Sequence, residues 1–333
     1  MLRLLAKIYA TVMQIRNHGY DNGWLKSFSS ELPVISIGNM SVGGNAKTPL
    51  TIYLVKLLQE KGLSPVVLTR GYGGKVKGPY QVSENDSAKL VGDEPLLILR
   101  RTGLPVVVCR DRVLGASFIS QKKLGNVIVL DDGFQHRRLR RLINIVSVDV
   151  GSEKAIEDFI EGRVLPWGRF REDREKAMQR VDCLVFATRR YYKVLPPLDE
   201  RLREIVPNHI PVFRSSLVPE GIVSIKKQQE LNEKNIVAVC GIAKPERFFA
   251  TLTELGFNVV ATKAFNDHHT FCKSDFDDLK KKYPDCKIVC TEKDGVKIDP
   301  AIGDDIFVLR TSTKVEAEDS FLQMISEKLQ GGL

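Results

Sequence analysis

Residues 34–51 read VISIGNMSVGGNAKTPLT, and their order decides the fold. An apolar run of β type at 34–37 enters a turn holding Gly38, Gly43 and Gly44, and the turn ends in Lys47-Thr48. An apolar-periodic segment at 50–58 follows. Strand, glycine turn, Lys-Thr and helix is the layout of a nucleoside triphosphate cradle. Backbone N–H groups of such a turn and the positive end of the helix bind phosphate oxygens; the lysine reaches the outer phosphates and the threonine hydroxyl ligates Mg²⁺. A strict GxxxxGK[ST] would carry glycine at 41 and 46, where this chain has Ser41 and Ala46. The competing reading is an ordinary glycine-rich turn with a surface lysine.

Similar β-type runs recur at 65–69, 105–109, 126–130, 143–148 and 183–188, separated by helical spacing at 50–59 and 95–101. Continuous apolar strands alternating with helices indicate a parallel sheet covered on both faces, an α/β fold of the P-loop NTPase type. Ligands of such sheets collect at the carboxyl ends of the strands. Around 212–233 the pattern changes to short extended pieces broken by Pro219, Gly221 and the polar run KKQQELNEK. Alternation then resumes to the C-terminus. The expected organisation is a P-loop domain over 1–212 and a smaller α/β unit over 213–333, joined by a β-type linker.

At 333 residues, 43% hydrophobic and 27% charged, the chain is a globular protein with a large core. A formal charge of +9 asks for an anionic partner: nucleic acid, an acidic lipid surface or a phosphorylated substrate. The RRLRR run suits nucleic acid, but no stacking platform or nucleic-acid module accompanies it, which argues against that partner. The six cysteines form no CxxC pair and read as buried thiols of a reducing compartment. No apolar run reaches the ~20 residues needed to cross a bilayer. In residues 1–16, Leu5, Ile8, Tyr9 and Val12 follow helical spacing opposite Arg3, Lys7, Thr11 and Gln14. That amphipathic helix either packs on its own domain or lies in a membrane interface.

Several constellations carry chemistry. NVIVLDDG at 126–133 ends a strand in Asp131 and Asp132, where a carboxylate beside a phosphate cradle holds Mg²⁺ or positions water; a turn or helix cap is the alternative. FQHRRLRR follows, setting Gln135, His136 and arginines beside that site. VGDEP places Asp93 and Glu94 in a turn before a helix, with Asp93 as a cap or as general base for a hydroxyl nucleophile. LPWGRFRED is a surface loop, or one in which Glu172 completes a metal shell and its arginines meet phosphate. FNDHHT lacks a third ligand at helical spacing, which argues against zinc, while a His-Asp proton relay fits. TEKDGVK lies at a strand's carboxyl end, where Thr291 or Lys293 can contact substrate or nucleotide.

Taken in order, PVISIGNMSVGGNAKTP, LTRGYGG, GDEP, LDDGFQH, LPWGRFRE, VAVCGIAKPERFF, FNDHH and TEKDGVK resemble the tetraacyldisaccharide 4′-kinases of lipid A biosynthesis over most of the chain. The resemblance implies ATP- and Mg²⁺-dependent phosphorylation of the 4′-hydroxyl of an acylated glucosamine disaccharide 1-phosphate, at the cytoplasmic face of the bacterial inner membrane. It implies Ser41, Val42, Gly43, Gly44, Asn45, Ala46, Lys47 and Thr48 on ATP. Thr48, Asp131, Gln135 and Glu172 become metal-site residues, and Arg70 and Arg171 substrate contacts. Asp93 becomes the base with His268 as its partner once the two domains close, Asp132 a further catalytic residue, and residues 1–16 a membrane-docking helix. Oligomeric state is left open. The chain departs from the family at Asn45 and Ala46, where threonine and glycine are usual, and at LPWGRFRE, which is LPAGPLRE-like elsewhere. A methyl group at 46 demands negative φ or accepts strain.

Overall fold

The computed structural model describes residues 1–43, 46–188, 195–302 and 305–331. Gly44 and Asn45, expected on the phosphates, lie outside the described residues. The first strands are β1 (Val34–Gly38), β2 (Pro65–Thr69), β3 (Tyr80–Gln81), β4 (Val106–Val108), β5 (Val127–Asp131), β6 (Ile143–Asp149) and β7 (Cys183–Ala187). They are followed by β8 (Val212–Ser224), β9 (Asn235–Cys240), β10 (Asn258–Ala264), β11 (Lys287–Thr291) and β12 (Ile306–Val315). Among the described residues these form one sheet in the order β10-β9-β11-β12-β8-β7-β6-β1-β5-β2-β4-β3.

β1, β2 and β5 are buried at every position, which is why their sequences are unbroken apolar runs. Alternate residues face opposite layers. Ile35, Ile37, Val67 and Val129 join one core; Val34, Val66, Leu68, Ile128 and Leu130 join the other. The first core is covered by helix α2 (Lys47–Glu60) and helix α3 (Asp93–Thr102). The last helix, Glu318–Gly331, returns from the far end of the chain to the same layer, where Phe321 stacks edge-on against Phe213 at 5.1 Å.

The expected β-type linker is a long strand. β8 pairs parallel with β7 as far as Ser215 opposite Ala187, the end of β7. It then runs on to Ser224, nine more residues or roughly 30 Å. β12 returns along it antiparallel, from Phe307 opposite Ser224 to Val315 opposite Ser215. β11, β9 and β10 pair parallel within the set that β12 begins. Two sets of parallel strands therefore run toward each other, and their carboxyl ends meet. A site between them draws residues from both halves.

Candidate active site

The cradle opens at the carboxyl end of β1. Its first arm, Met40 to Val42, is zipped to the loop after Arg163. The Arg171 amide donates to the Met40 carbonyl at 2.8 Å, the Val42 amide to the Arg169 carbonyl at 2.8 Å, and Ser41 bridges Phe170. Arg169 Nη2 donates to the Val42 carbonyl at 3.0 Å and fills the space beside Gly43, where a Cβ would come within 2.3 Å of it. A Cβ there would displace the Arg169 guanidinium, and the φ of +104° favours glycine. Ala46 caps α2 with φ 54° and ψ 26°, so the methyl group stands on left-handed backbone and the loop carries the strain.

Lys47 and Thr48 open α2, earlier than the expected helical start at 50, and Thr48 is buried. Lys47 Nζ meets Asp132 Oδ1 at 2.9 Å, and Arg171 Nη1 approaches the same oxygen at 3.5 Å. Burial disfavours the Asp132 charge, but Lys47 and Arg171 outweigh it and hold the carboxyl below its ordinary range. Asp132 also has positive φ, 51°, a conformation aspartate tolerates and functional sites collect. Asp131, one residue earlier, is buried and accepts from the hydroxyls of Thr51 at 3.1 Å and Thr69 at 3.2 Å. Burial first, then Glu94 and Asp132, raise its carboxyl well above the ordinary range.

Gln135 and Glu172 stand behind Arg171. The Gln135 amide accepts from Arg171 Nη1 at 3.0 Å and donates to the Asn39 carbonyl at 2.7 Å. Glu172, 2% exposed, accepts from Asn17 at 2.7 Å, from Arg180, and weakly from Gln135 at 3.4 Å. Protein donors thus occupy Gln135 and Glu172, two of the four residues expected at the metal, as the Thr51 and Thr69 hydroxyls occupy Asp131. Arg70 follows β2 at its carboxyl end and is exposed. Its charge is felt by buried Arg112, whose pKa burial lowers first and Arg70 next.

Asp93 is the first residue of α3, after the cap Gly92, and its Oδ1 accepts from the Glu94 amide at 3.0 Å, which leaves Oδ2 for a second partner. Its Oδ2 lies 3.0 Å from His268 Nδ1, which arrives from the opposing strand set. The pair expected to form on domain closure is already in contact. His268 also holds left-handed backbone, φ 61°, beside the exposed ring of Tyr72 at 5.7 Å. Lys293, on the short helix Glu292–Gly295, lies 3.8 Å from Asp93 and 3.5 Å from Glu94. Burial pulls the Lys293 pKa down, but Glu94, Asp93 and Asp267 together raise it. The other end of α3 is also held from the second half: Arg101 meets Glu292 at 3.0 Å and Glu220 at 2.6 Å. A cleft of about 650 Å³ opens beside Asp93 and His268, lined also by Tyr72, Lys89, Arg100 and Phe271. Ligand pockets of ~300–1,000 Å³ are usual.

Sequence reasoning named Glu94 only as Asp93's neighbour in the turn, and did not find Arg112 or the inward face of the first helix, α1 (Leu2–Asp21). Tyr9, placed on the apolar stripe, turns inward and donates to the Arg171 carbonyl at 3.1 Å, because its hydroxyl seeks a partner. Leu5, Ile8 and Val12 remain exposed.

A family model described as tetraacyldisaccharide-1-P 4′-kinase matches residues 1–330. The tetraacyldisaccharide 4′-kinase of Aeromonas hydrophila is 35% identical over 339 residues, covering all of this chain and 92% of the relative. That of Chlorobaculum parvum is 35% identical over 311 residues, covering 90% and 84%. The fold is similar to a crystal structure of the "apo" form of LpxK from Aquifex aeolicus in complex with ATP. The TM-score is 0.78 at 29% identity, over 98% of this chain and 97% of that one.

Proposed function

Because the chain belongs to the tetraacyldisaccharide-1-P 4′-kinase family, we propose that it transfers the γ-phosphoryl group of ATP to the 4′-hydroxyl of an acylated glucosamine disaccharide 1-phosphate, a step of lipid A biosynthesis. The observation that carries this reading is the Asp93–His268 contact, 3.0 Å, made between the two facing strand sets beside the Lys47–Asp132–Arg171 cluster. A base and a phosphate cradle suit a hydroxyl acceptor and a triphosphate donor, and the Glu94 charge beside Asp93 is felt at Asp131.

In this reading Ser41 to Thr48 wrap the triphosphate. Lys47 exchanges Asp132 for the outer phosphates, and Arg171, steadied by Gln135, stabilises charge on the transferring group. Asp93 takes the proton of the sugar hydroxyl. His268 orients Asp93, and Lys293 stands 3.8 Å from the same carboxylate. Arg70, exposed at the carboxyl end of β2, contacts the substrate phosphate. The acyl-disaccharide head enters the cleft beside Tyr72 and His268. Residues 1–212 carry the cradle and residues 213–333 carry His268 and Lys293, so a small movement of one unit adjusts the distance between acceptor and donor.

The residues present suit Mg²⁺. Asp131 and Asp132, with Glu94 near, bring carboxylates together in a buried place where their charges repel, and a hard divalent cation relieves that repulsion. Among the described residues no three acidic, histidine or cysteine side chains form a cage by themselves, in keeping with a metal bound by one or two protein ligands plus phosphates. Thr48 and Asp131 would hold it, with Gln135 fixing Arg171 beside it and Glu172 accepting from Gln135 and Arg180 behind. The ion would neutralise phosphate charge.

Among the described residues no helix is long and apolar enough to cross a membrane. Leu2, Leu4, Leu5, Ile8, Val12 and Ile15 of α1 are nonetheless exposed. With the +9 charge, that surface suits docking at an anionic bilayer, the inner-membrane face where a lipid acceptor resides. The test of the catalytic reading is Lys47→Ala. It should abolish phosphate transfer from ATP to the lipid acceptor while the circular dichroism spectrum is unchanged. Transfer near the wild-type rate would remove the cradle from the mechanism.

A further inference from the structure

Helix α1 does more than present an apolar face. Arg3 lies 4.8 Å from the ring centroid of Trp167, whose ring also carries Arg163 at 4.6 Å. Tyr9 donates to the Arg171 carbonyl at 3.1 Å, and Asn17 to Glu172 at 2.7 Å. Arg16 reaches the Gln135 carbonyl at 2.9 Å. The helix is thus fastened along its length to the loop 163–172, and that loop is the strip zipped to Met40–Val42 of the cradle. One continuous path leads from the helix to the phosphate-binding backbone.

The fastening is polar and thin. Of the 20 residues of α1 only Ala6 and Gly19 are buried. A helix with so little apolar burial is held weakly to its body, since tertiary packing supplies most helical stability. Two tryptophans flank it: Trp167 beside Arg3, and Trp24, 73% exposed, with its ring 5.3 Å from His18. Tryptophan favours the membrane interface. A bilayer that takes up α1 together with these two body residues binds best to the arrangement in which α1 is seated on the loop. That difference in affinity between seated and unseated states is what a ligand needs to shift an equilibrium.

We propose that α1 is a nucleotide-positioning element: docking on an anionic bilayer seats it through Arg3–Trp167, Tyr9–Arg171 and Asn17–Glu172, and so tightens the ATP cradle. The proposal rests on the membrane-docking reading above. By linkage the effect is reciprocal: nucleotide tightens vesicle binding by the factor by which vesicles tighten nucleotide binding.

The test uses the full chain, a fluorescent non-hydrolysable ATP analogue with Mg²⁺, and phosphatidylglycerol–phosphatidylethanolamine vesicles without acceptor lipid. Vesicle co-sedimentation is measured separately from nucleotide affinity. Wild type should sediment with vesicles and bind the analogue about 5-fold more tightly in their presence, the lower end of usual couplings. Trp167→Ala should still sediment and lose the tightening, and Trp167→Phe, which keeps an aromatic face for Arg3, should retain it. Tyr9→Phe removes one hydroxyl and no packing, and it probes the same path independently should Trp167→Ala fail to fold. Wild type that sediments with unchanged nucleotide affinity would overturn the proposal and leave docking intact. Full tightening in Trp167→Ala and Tyr9→Phe would overturn it as well. Wild type that does not sediment would overturn the docking reading and the proposal with it.

Discussion

Replacing Asp93 by asparagine keeps the shape of the side chain and removes its charge. Asp93 is 5% exposed, so water cannot take over the proton in its place. General base catalysis contributes roughly 10²–10⁴-fold, about 2.7–5.4 kcal/mol of barrier, and that is the kcat loss expected for Asp93→Asn, with ATP affinity little changed. In the proposed mechanism His268 acts through Asp93 Oδ2, 3.0 Å from its Nδ1. A hydrogen bond to a charged group contributes about 1.5–3 kcal/mol, and the lower end applies because the His268 side chain is 35% exposed. His268→Ala should therefore cost about 10-fold in kcat. If both residues serve one proton transfer, the double variant falls about as far as Asp93→Asn alone. The assay is phosphate transfer from labelled ATP to the lipid acceptor in detergent, at saturating concentrations of both. Losses that multiply, or an Asp93→Asn enzyme near wild-type rate, would refute the reasoning.

Ala46→Gly relieves a left-handed alanine worth about 1–2 kcal/mol, offset by the extra freedom of glycine in the unfolded chain, for a net gain of about 0.5–1 kcal/mol. Calorimetry should show Tm higher by about 1–2 °C with ATP use unchanged or improved; a lower Tm would mean the methyl group packs usefully. Replacing exposed Leu5, Ile8 and Val12 together by glutamate should leave Tm unchanged and release the protein from anionic vesicles, as sedimentation will show; retained binding would point away from α1. His136 is pulled down from 6.5 to about 4, first by burial and then by Arg112, so the unfolded chain binds a proton that the folded chain refuses between those values. Its contribution is complete above about pH 6.5 and lost as pH falls toward 4. His136→Gln should flatten the wild-type fall of Tm across that window, and an unchanged slope would assign the acid lability elsewhere.

The cradle was legible because strand, glycine turn and Lys-Thr are contiguous, and β1, β2 and β5 because burial on both faces makes a strand uniformly apolar. The meeting of the two carboxyl ends was not legible. It depends on β8 continuing nine residues past Ala187 and on β12 returning antiparallel, and a broken apolar pattern around Pro219 and Gly221 reads only as a linker. The Asp93–His268 contact follows from that reversal and spans 175 positions of sequence. Gln135 and Glu172 carry oxygens suited to a metal, and only tertiary contacts with Arg171, Arg180 and Asn17 reveal how those oxygens are occupied. The same holds for Tyr9, whose apolar ring fits the stripe while its hydroxyl selects the opposite side. Helical periodicity cannot separate the two.

The proposed reaction has a single product: a lipid disaccharide carrying the terminal phosphate of ATP on one particular hydroxyl. Incubation of the full chain with γ-labelled ATP, Mg²⁺ and a tetraacyl-disaccharide 1-phosphate in detergent, followed by phosphorus NMR of the extracted lipid, measures it directly. One new phosphomonoester should appear at the 4′-position for each ATP consumed. ATP hydrolysis with no phosphorylated lipid, or phosphate at a different hydroxyl, would contradict the assignment.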